Sequence, residues 1–259
     1  MSDGEVRVER NGAVATIWLD RPAKRNAMSY AMWAALADVS RRLAASPLVR
    51  VVVVRGAGGH FCAGADVGDL LAERSPGSPT FMEVNLNAEN ALATMPKPTI
   101  AYIEGDCIGG GCAIAIDCDL RIAVDGARFG ITPAKLGVVY PARSIERVGQ
   151  LLGPAAAKQL LFTGRLIDTE TALRIGLVGE VHTADGAPVV LDDLCAELAQ
   201  RSLLSQASSK EMLAAVAAGG SVPAGLEAHW TKVAADSGDL REGVAAFAER
   251  RPPNFTWPD

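Results

Sequence analysis

Near the start of the chain apolar and polar residues alternate. Val6 and Val8 stand before Asn11-Gly12, and the run AVATIWL over residues 13–19 stands after it. Asn-Gly between two such runs predicts a β-hairpin. The period then changes: Met28, Met32, Leu36, Val39 and Leu43 recur at helical spacing, with Ser29 placed as an N-cap. The unbroken apolar run Val49 to Val54 predicts a strand buried on both faces. Strand, helix and strand in this order make a βαβ unit with a right-handed crossover.

From Gly56 to Pro79 the chain is rich in Gly, Ala and charge, which predicts mostly loop. A helical stretch follows from Met82 to Met95, stopped by Pro96-Lys-Pro98. Thr99 to Ile103 then predicts a strand, Glu104 to Gly111 a turn, the residues through Cys118 a short helix, and Leu120 to Val124 another strand. Two helical stretches are expected between Pro154 and Ile175, and a strand from Val178 to His182. From about Ser202 the pattern is helical throughout, with a break at Gly219-Gly220. This order implies an α/β core over residues 1–200 and a helical region over 201–259.

Composition narrows the class. The 259 residues are 49% hydrophobic, enough to bury a substantial core. The net charge of -5 is spread over interspersed acids and bases, so neither nucleic acid nor a membrane surface is an expected partner. The segment MSDGEVRVER is polar, without the apolar stretch of a signal peptide, and no run approaches the roughly 20 apolar residues that span a bilayer. The five cysteines, Cys62, Cys107, Cys112, Cys118 and Cys195, form no CxxC pair. They are read as reduced, buried thiols of a cytoplasmic protein. No metal is expected, since His60, His182 and His229 are scattered without ligand or triad spacing.

Two glycine-rich turns carry the candidate chemistry: Phe61-Cys-Ala-Gly-Ala-Asp66 and Glu104-Gly-Asp-Cys-Ile-Gly-Gly-Gly-Cys112. Each follows a predicted strand, and the second opens a helix. Glycines allow close approach and present bare N–H groups, and a helix N-terminus adds partial positive charge. Two N–H groups converging on one oxygen make an oxyanion hole, each donor contributing roughly 2.7–4 kcal/mol. Tight turns without chemistry would also use these residues. The phosphate-binding patterns GxGxxG and GxxxxGK[ST] are absent.

The ordered series Asp20-Arg-Pro, Asn26-Ala27, Phe61 to Asp66, Lys97-Pro98, Gly105, Gly109-Gly-Gly-Cys112, Cys118-Asp119, Phe129-Gly130, Leu136-Gly137, Phe162-Thr-Gly164 and Ala172 to Val178 resembles the enoyl-CoA hydratase/isomerase, or crotonase, superfamily. The tail from Ser237 to Phe255 is similar to its C-terminal signature. The resemblance implies a spiral of ββα units with a C-terminal helical trimerisation region, assembled as a homo-trimer or hexamer. It also implies an acyl-CoA substrate, whose coenzyme A is part of the substrate rather than a separate cofactor. By position, the oxyanion hole would be the N–H groups of Ala65 and Gly110. Backbone around Ala63 and Val67 would receive the adenine, and Lys24 or Arg25 would lie near the phosphates, although both basic residues also suit solvated surface.

One departure is informative. Family hydratases carry glutamates at the positions of Ala113 and Pro133, and isomerase branches place an acid at the position of Pro141. All three acids are missing. Decarboxylation of a malonyl-type thioester needs no general base to begin, and a pocket carboxylate would repel the substrate's own. The segment Thr132-Pro-Ala-Lys-Leu-Gly-Val-Val-Tyr140 resembles the methylmalonyl-CoA decarboxylase branch, with Thr132 expected to orient the leaving carboxylate and Tyr140 to line the pocket. That branch has a histidine where Ala65 stands. Two other readings stay open. One is an enoyl-CoA hydratase or isomerase with a displaced acid such as Glu83 or Asp117. The other is a non-catalytic acyl-CoA binding module. Glu83 and Glu89 lie before Met95, in a region that the resemblance implies covers the acyl pocket. A solvated helix face is expected for both, with service as an unconventional acid the alternative for either, and Asp119 is expected to hold a turn.

Overall fold

The computed structural model describes residues 4–258, so Met1 to Asp3 of the polar N-terminal segment lie outside the described residues. Strands β1 (Glu5–Asn11) and β2 (Val14–Asp20) form the expected hairpin, its tight turn at Gly12 in the left-handed region (φ +58°). Helix α1 (Tyr30–Ala45) starts where Ser29 accepts a bond from Met32 N–H, and β3 (Val51–Gly56) returns parallel to β2. The residues predicted as loop include a short helix, α2 (Val67–Leu71), and α3 (Phe81–Ala93) follows.

Next come β4 (Thr99–Ile103), β5 (Asp106–Ile108), α4 (Gly110–Asp117), β6 (Leu120–Val124), β7 (Arg128–Gly130) and α5 (Pro133–Leu136). Helix α6 (Ala142–Thr163) bends at Gly153-Pro154, as a proline inside a helix requires. Its first eleven residues were not apparent in the hydrophobic pattern. The chain closes with α7 (Thr169–Arg174), β8 (Glu180–His182), α8 (Ala187–Gln200), α9 (Leu203–Gly219), α10 (Ala224–Ser237) and α11 (Asp239–Glu249). Gly220 ends α9 in the left-handed conformation, where the Gly-Gly break was expected.

A six-stranded sheet runs in the order β1-β2-β3-β4-β6-β8, parallel except for the first pair. The period of two sorts its side chains between two cores. Ile17, Val52, Val54, Ala101 and Ile103 face α1, α3 and α4, whereas Val51, Val53, Ile100, Tyr102 and Ile122 face α8 through Ala187, Leu191 and Cys195. This is why the Val49–Val54 run lacks alternation: both faces of β3 are buried. Lys97 secures the frame by donating to Leu43 O and Ser46 O at the end of α1.

A second, smaller set of pairings builds the site. Cys107 of β5 pairs with Phe129 of β7 and, on its other side, with Cys62. Three successive units therefore share one plan: a strand in the large sheet, a short pairing segment in the small one, then a helix. These are the ββα units of the expected spiral, and the chain segments leaving Cys62, β5 and β7 emerge side by side.

Candidate active site

Those three exits, Ala63-Gly64-Ala65, Gly109-Gly110 and Thr132-Pro133, line one cavity of about 140 Å³. Trp33, Val67, Leu70, Phe81 and Met82 form apolar walls, and Ala113, Tyr140, Pro141, Glu89 and Ser144 also line it. Ala63, Ala65, Val67, Gly110, Thr132 and Tyr140, singled out from sequence, are thus brought together.

The backbone explains which N–H groups are available. Met28 N–H donates to Gly64 O and Asp66 N–H donates to Met28 O, a parallel bridge that turns the intervening Ala65 N–H to the opposite side. Gly110 is the first residue of α4, where N–H groups have no partner within the helix. Among the described residues neither N–H has a protein acceptor. The two turns touch: a Cβ on Gly110 would lie 3.6 Å from Ala65 N, and one on Gly64 would lie 3.6 Å from Gly110 N. Gly109 (φ +55°, ψ −115°) occupies a conformation reserved for glycine, and it points the start of α4 into the cavity.

Thr132 stands at the N-cap position of α5, yet its side chain makes no capping bond. A Cβ built on Gly109 would lie 3.7 Å from both Thr132 Oγ1 and the Tyr140 hydroxyl, so these two groups converge on the mouth of the Gly109 turn. Burial pushes the Tyr140 phenol well above its usual range, with the Cys112 thiol and Glu89 adding to the effect. Tyr140 is therefore a neutral O–H donor.

Glu89 corrects the expectation of a solvated helix face. Only 3% of it is exposed, and it lines the cavity. Desolvation raises its pKa, offset in part by a bond from the Ser144 hydroxyl to Oε2 (2.7 Å), by Arg147 and by Asn85. Arg147 Nη1 lies 3.9 Å from Glu89 but 3.0 Å from Asp117 Oδ1, so its closer acidic partner is Asp117. Glu83 behaves as expected: it completes a capping box with Thr80 outside the cavity. Asp117 is buried beneath Arg147 and does not line the cavity. Asp119 holds Thr99 and Lys210, joining β4 to α9.

The two basic candidates, Lys24 and Arg25, do not line the cavity and are held in ion pairs. Lys24 Nζ reaches Asp66 at 2.8 Å and Arg25 reaches the buried Asp106 at 2.9 Å. Asp66 is shared with the buried Arg21, and its bonds to Lys24 and Arg21 hold the carboxyl far below the usual carboxylate range. No cluster of metal-ligating side chains occurs among the described residues, and no helix among them is long and apolar enough to cross a membrane. The five cysteines are unpaired and buried.

Residues 9–258 match the family model for enoyl-CoA hydratase/isomerase. The chain belongs to the enoyl-CoA hydratase/isomerase family. A Thermus thermophilus protein that bears the name enoyl-CoA hydratase is 35% identical over 257 residues, 96% of this chain and 100% of its own. The (E)-benzylidenesuccinyl-CoA hydratase of Thauera aromatica is 33% identical over 261 residues, 96% of this chain and 98% of its own. The crystal structure of an enoyl-CoA hydratase/carnithine racemase from Magnetospirillum magneticum superposes with a TM-score of 0.90 at 30% identity, covering 96% of this chain and 94% of that one. The crotonase fold is therefore this chain's fold, and acyl-CoA chemistry is its family's. Within this hydratase/isomerase-family pocket, Ala113, Pro133 and Pro141 all face the cavity, so their side chains leave it without an acid at those three points.

Proposed function

We propose that this chain binds an acyl-CoA thioester and works through its enolate, with the thioester oxygen held by the N–H groups of Ala65 and Gly110. Fixed donors aimed at an oxygen that gains charge stabilise the enolate more than the ground state. Backbone at Ala63 and Val67 receives the adenine, and Lys24 and Arg25 supply positive charge for the coenzyme A phosphates. Coenzyme A enters as part of the substrate.

The reaction we assign is decarboxylation of a malonyl-type acyl-CoA. One observation carries it: three cavity positions suited to acids are occupied by Ala113, Pro133 and Pro141, while the hydroxyls of Thr132 and Tyr140 converge at Gly109. Two neutral donors suit a substrate carboxylate, which a charged wall would repel. Loss of carbon dioxide leaves the enolate without help from a base. Thr132 turns the leaving carboxylate out of the thioester plane, and Tyr140 donates to it.

A second reading, hydration or isomerisation of an enoyl-CoA, is favoured by the buried Glu89 and by the hydratase names of the relatives. One mixture separates the two. Purified protein is incubated with equimolar crotonyl-CoA and methylmalonyl-CoA, and the products are read by mass spectrometry. Carbon dioxide loss from the second substrate alone supports the decarboxylase. Water gain on the first overturns it in favour of Glu89-assisted hydration. No change in either sinks both reactions and leaves a binding module.

A further inference from the structure

We infer that Glu89 is the proton-transfer residue at the substrate α-carbon, taking over from α3 the task for which α4 and α5 carry no acid. The inference rests on the enolate reading above but not on which reaction generates the enolate. Four observations converge on it. Glu89 is the acidic residue among those lining the cavity. It is 3% exposed, and that burial favours the protonated form that a proton donor needs. It stands on α3, the helix packed against α4, and lines the same cavity as Ala113, Tyr140 and Ser144. Finally, it is oriented by a neutral partner: Ser144 donates to Oε2 at 2.7 Å, whereas the nearby cation is closer to Asp117.

The groups facing Glu89 make a carboxylic acid sensible there. Asn85 and Ser144 are neutral, Tyr140 is held neutral by burial, and the Arg147 guanidinium stands 3.9 Å away, nearer to Asp117 on α4 at 3.0 Å. A salt bridge built only for stability would instead bring the guanidinium into direct contact. After carbon dioxide departs, the electron pair of the broken C–C bond resides in the enolate at Ala65 and Gly110. The Glu89 O–H bond then breaks, its proton forms the new C–H bond at the α-carbon, and the carboxylate recovers a proton from solvent. Run backwards from a saturated thioester, the same group removes an α-proton.

The backward direction supplies the test. Propionyl-CoA is incubated with the full chain in deuterium oxide, and α-deuterium is counted by mass spectrometry while thioester binding is measured by calorimetry. Wild-type protein is expected to exchange an α-proton. Glu89→Gln, which keeps shape and hydrogen bonding, is expected to slow exchange on the order of 100-fold or more with binding preserved. Ser144→Ala, a positioning variant, is expected to retain exchange but to shift its pH dependence upward. Exchange by E89Q at the wild-type rate overturns the proposal, as does absence of exchange in the wild type. Failure of the decarboxylase reading has a different signature: methylmalonyl-CoA releases no carbon dioxide, yet E89Q still abolishes exchange.

Discussion

The Ser144 hydroxyl donates to Glu89 Oε2 across 2.7 Å, and both residues are buried. This bond links α6 to α3 in the lining of the cavity. It favours the charged carboxylate, so it works against the rise that burial imposes. Ser144→Ala removes that restraint and moves the Glu89 pKa further up. A proton donor is lost as pH rises through its pKa, so the alkaline limb of the pH–rate profile is expected to move to higher pH. An unmoved limb in S144A would show that another group titrates there.

Asp117 gives the fold itself a pH dependence. Its carboxyl is pushed well above the usual range by desolvation first and by Glu89 second, with Arg147 pulling the other way. The native state therefore binds more protons than the unfolded chain. Stability from this group is fully present below the unfolded pKa of about 3.9 and is lost as pH rises toward the folded value. Asp117→Asn is expected to flatten the decline in unfolding free energy as pH rises above the ordinary carboxylate range, measured by urea denaturation. The same slope in both proteins would place the buried charge elsewhere.

Much of this architecture was legible because burial writes itself into spacing. The hairpin, the Ser29 cap, the doubly buried Val51–Val54 and the Gly219-Gly220 stop each follow from a local rule. Glu89 was misread although the signal was present. Phe81, Val84, Asn85, Ala88, Glu89 and Leu92 form one buried stripe at helical spacing. A glutamate inside such a stripe marks a buried carboxylate, but a charge on a helix is ordinarily assigned to solvent. The start of α6 was missed for a different reason. The stretch Ala142–Leu152 presents two buried residues, Ser144 and Val148, one of them polar, so no apolar period announces it. Its side chains Ser144 and Arg147 belong to tertiary contacts with α3 and α4 that no local pattern encodes.

The C-terminal helices leave an apolar ridge on α11. Leu240, Val244 and Phe247 are 76%, 62% and 88% exposed at i, i+4 and i+7, a spacing that aligns them on one face. The family resemblance implies a trimer or hexamer, and on that expectation the ridge is a surface for self-association. Phe247→Glu places a charge on its most exposed side chain and is expected to shift the protein to monomer in sedimentation velocity, with its circular dichroism unchanged. Unaltered sedimentation would move the interface off α11.

Thr132 and Tyr140 separate orientation of a carboxylate from binding of the thioester. The Thr132 hydroxyl faces Gly109 and caps nothing, so its removal costs α5 no hydrogen bond. Thr132→Val keeps the branched shape while deleting the donor, and the fold is expected to lose less than about 1 kcal/mol, as for other substitutions without a lost partner. Binding of a saturated acyl-CoA should likewise hold, because the Ala65 and Gly110 donors are backbone. Carbon dioxide release from methylmalonyl-CoA should fall: a charge-assisted hydrogen bond is worth about 1.5–3 kcal/mol, or roughly 10- to 150-fold in rate if it is made in the transition state alone. The α-proton exchange of propionyl-CoA, which involves no carboxylate, should be unchanged. A parallel loss of exchange in T132V would mean that the hydroxyl supports the enolate rather than the leaving group, and normal decarboxylation would remove Thr132 from the reaction.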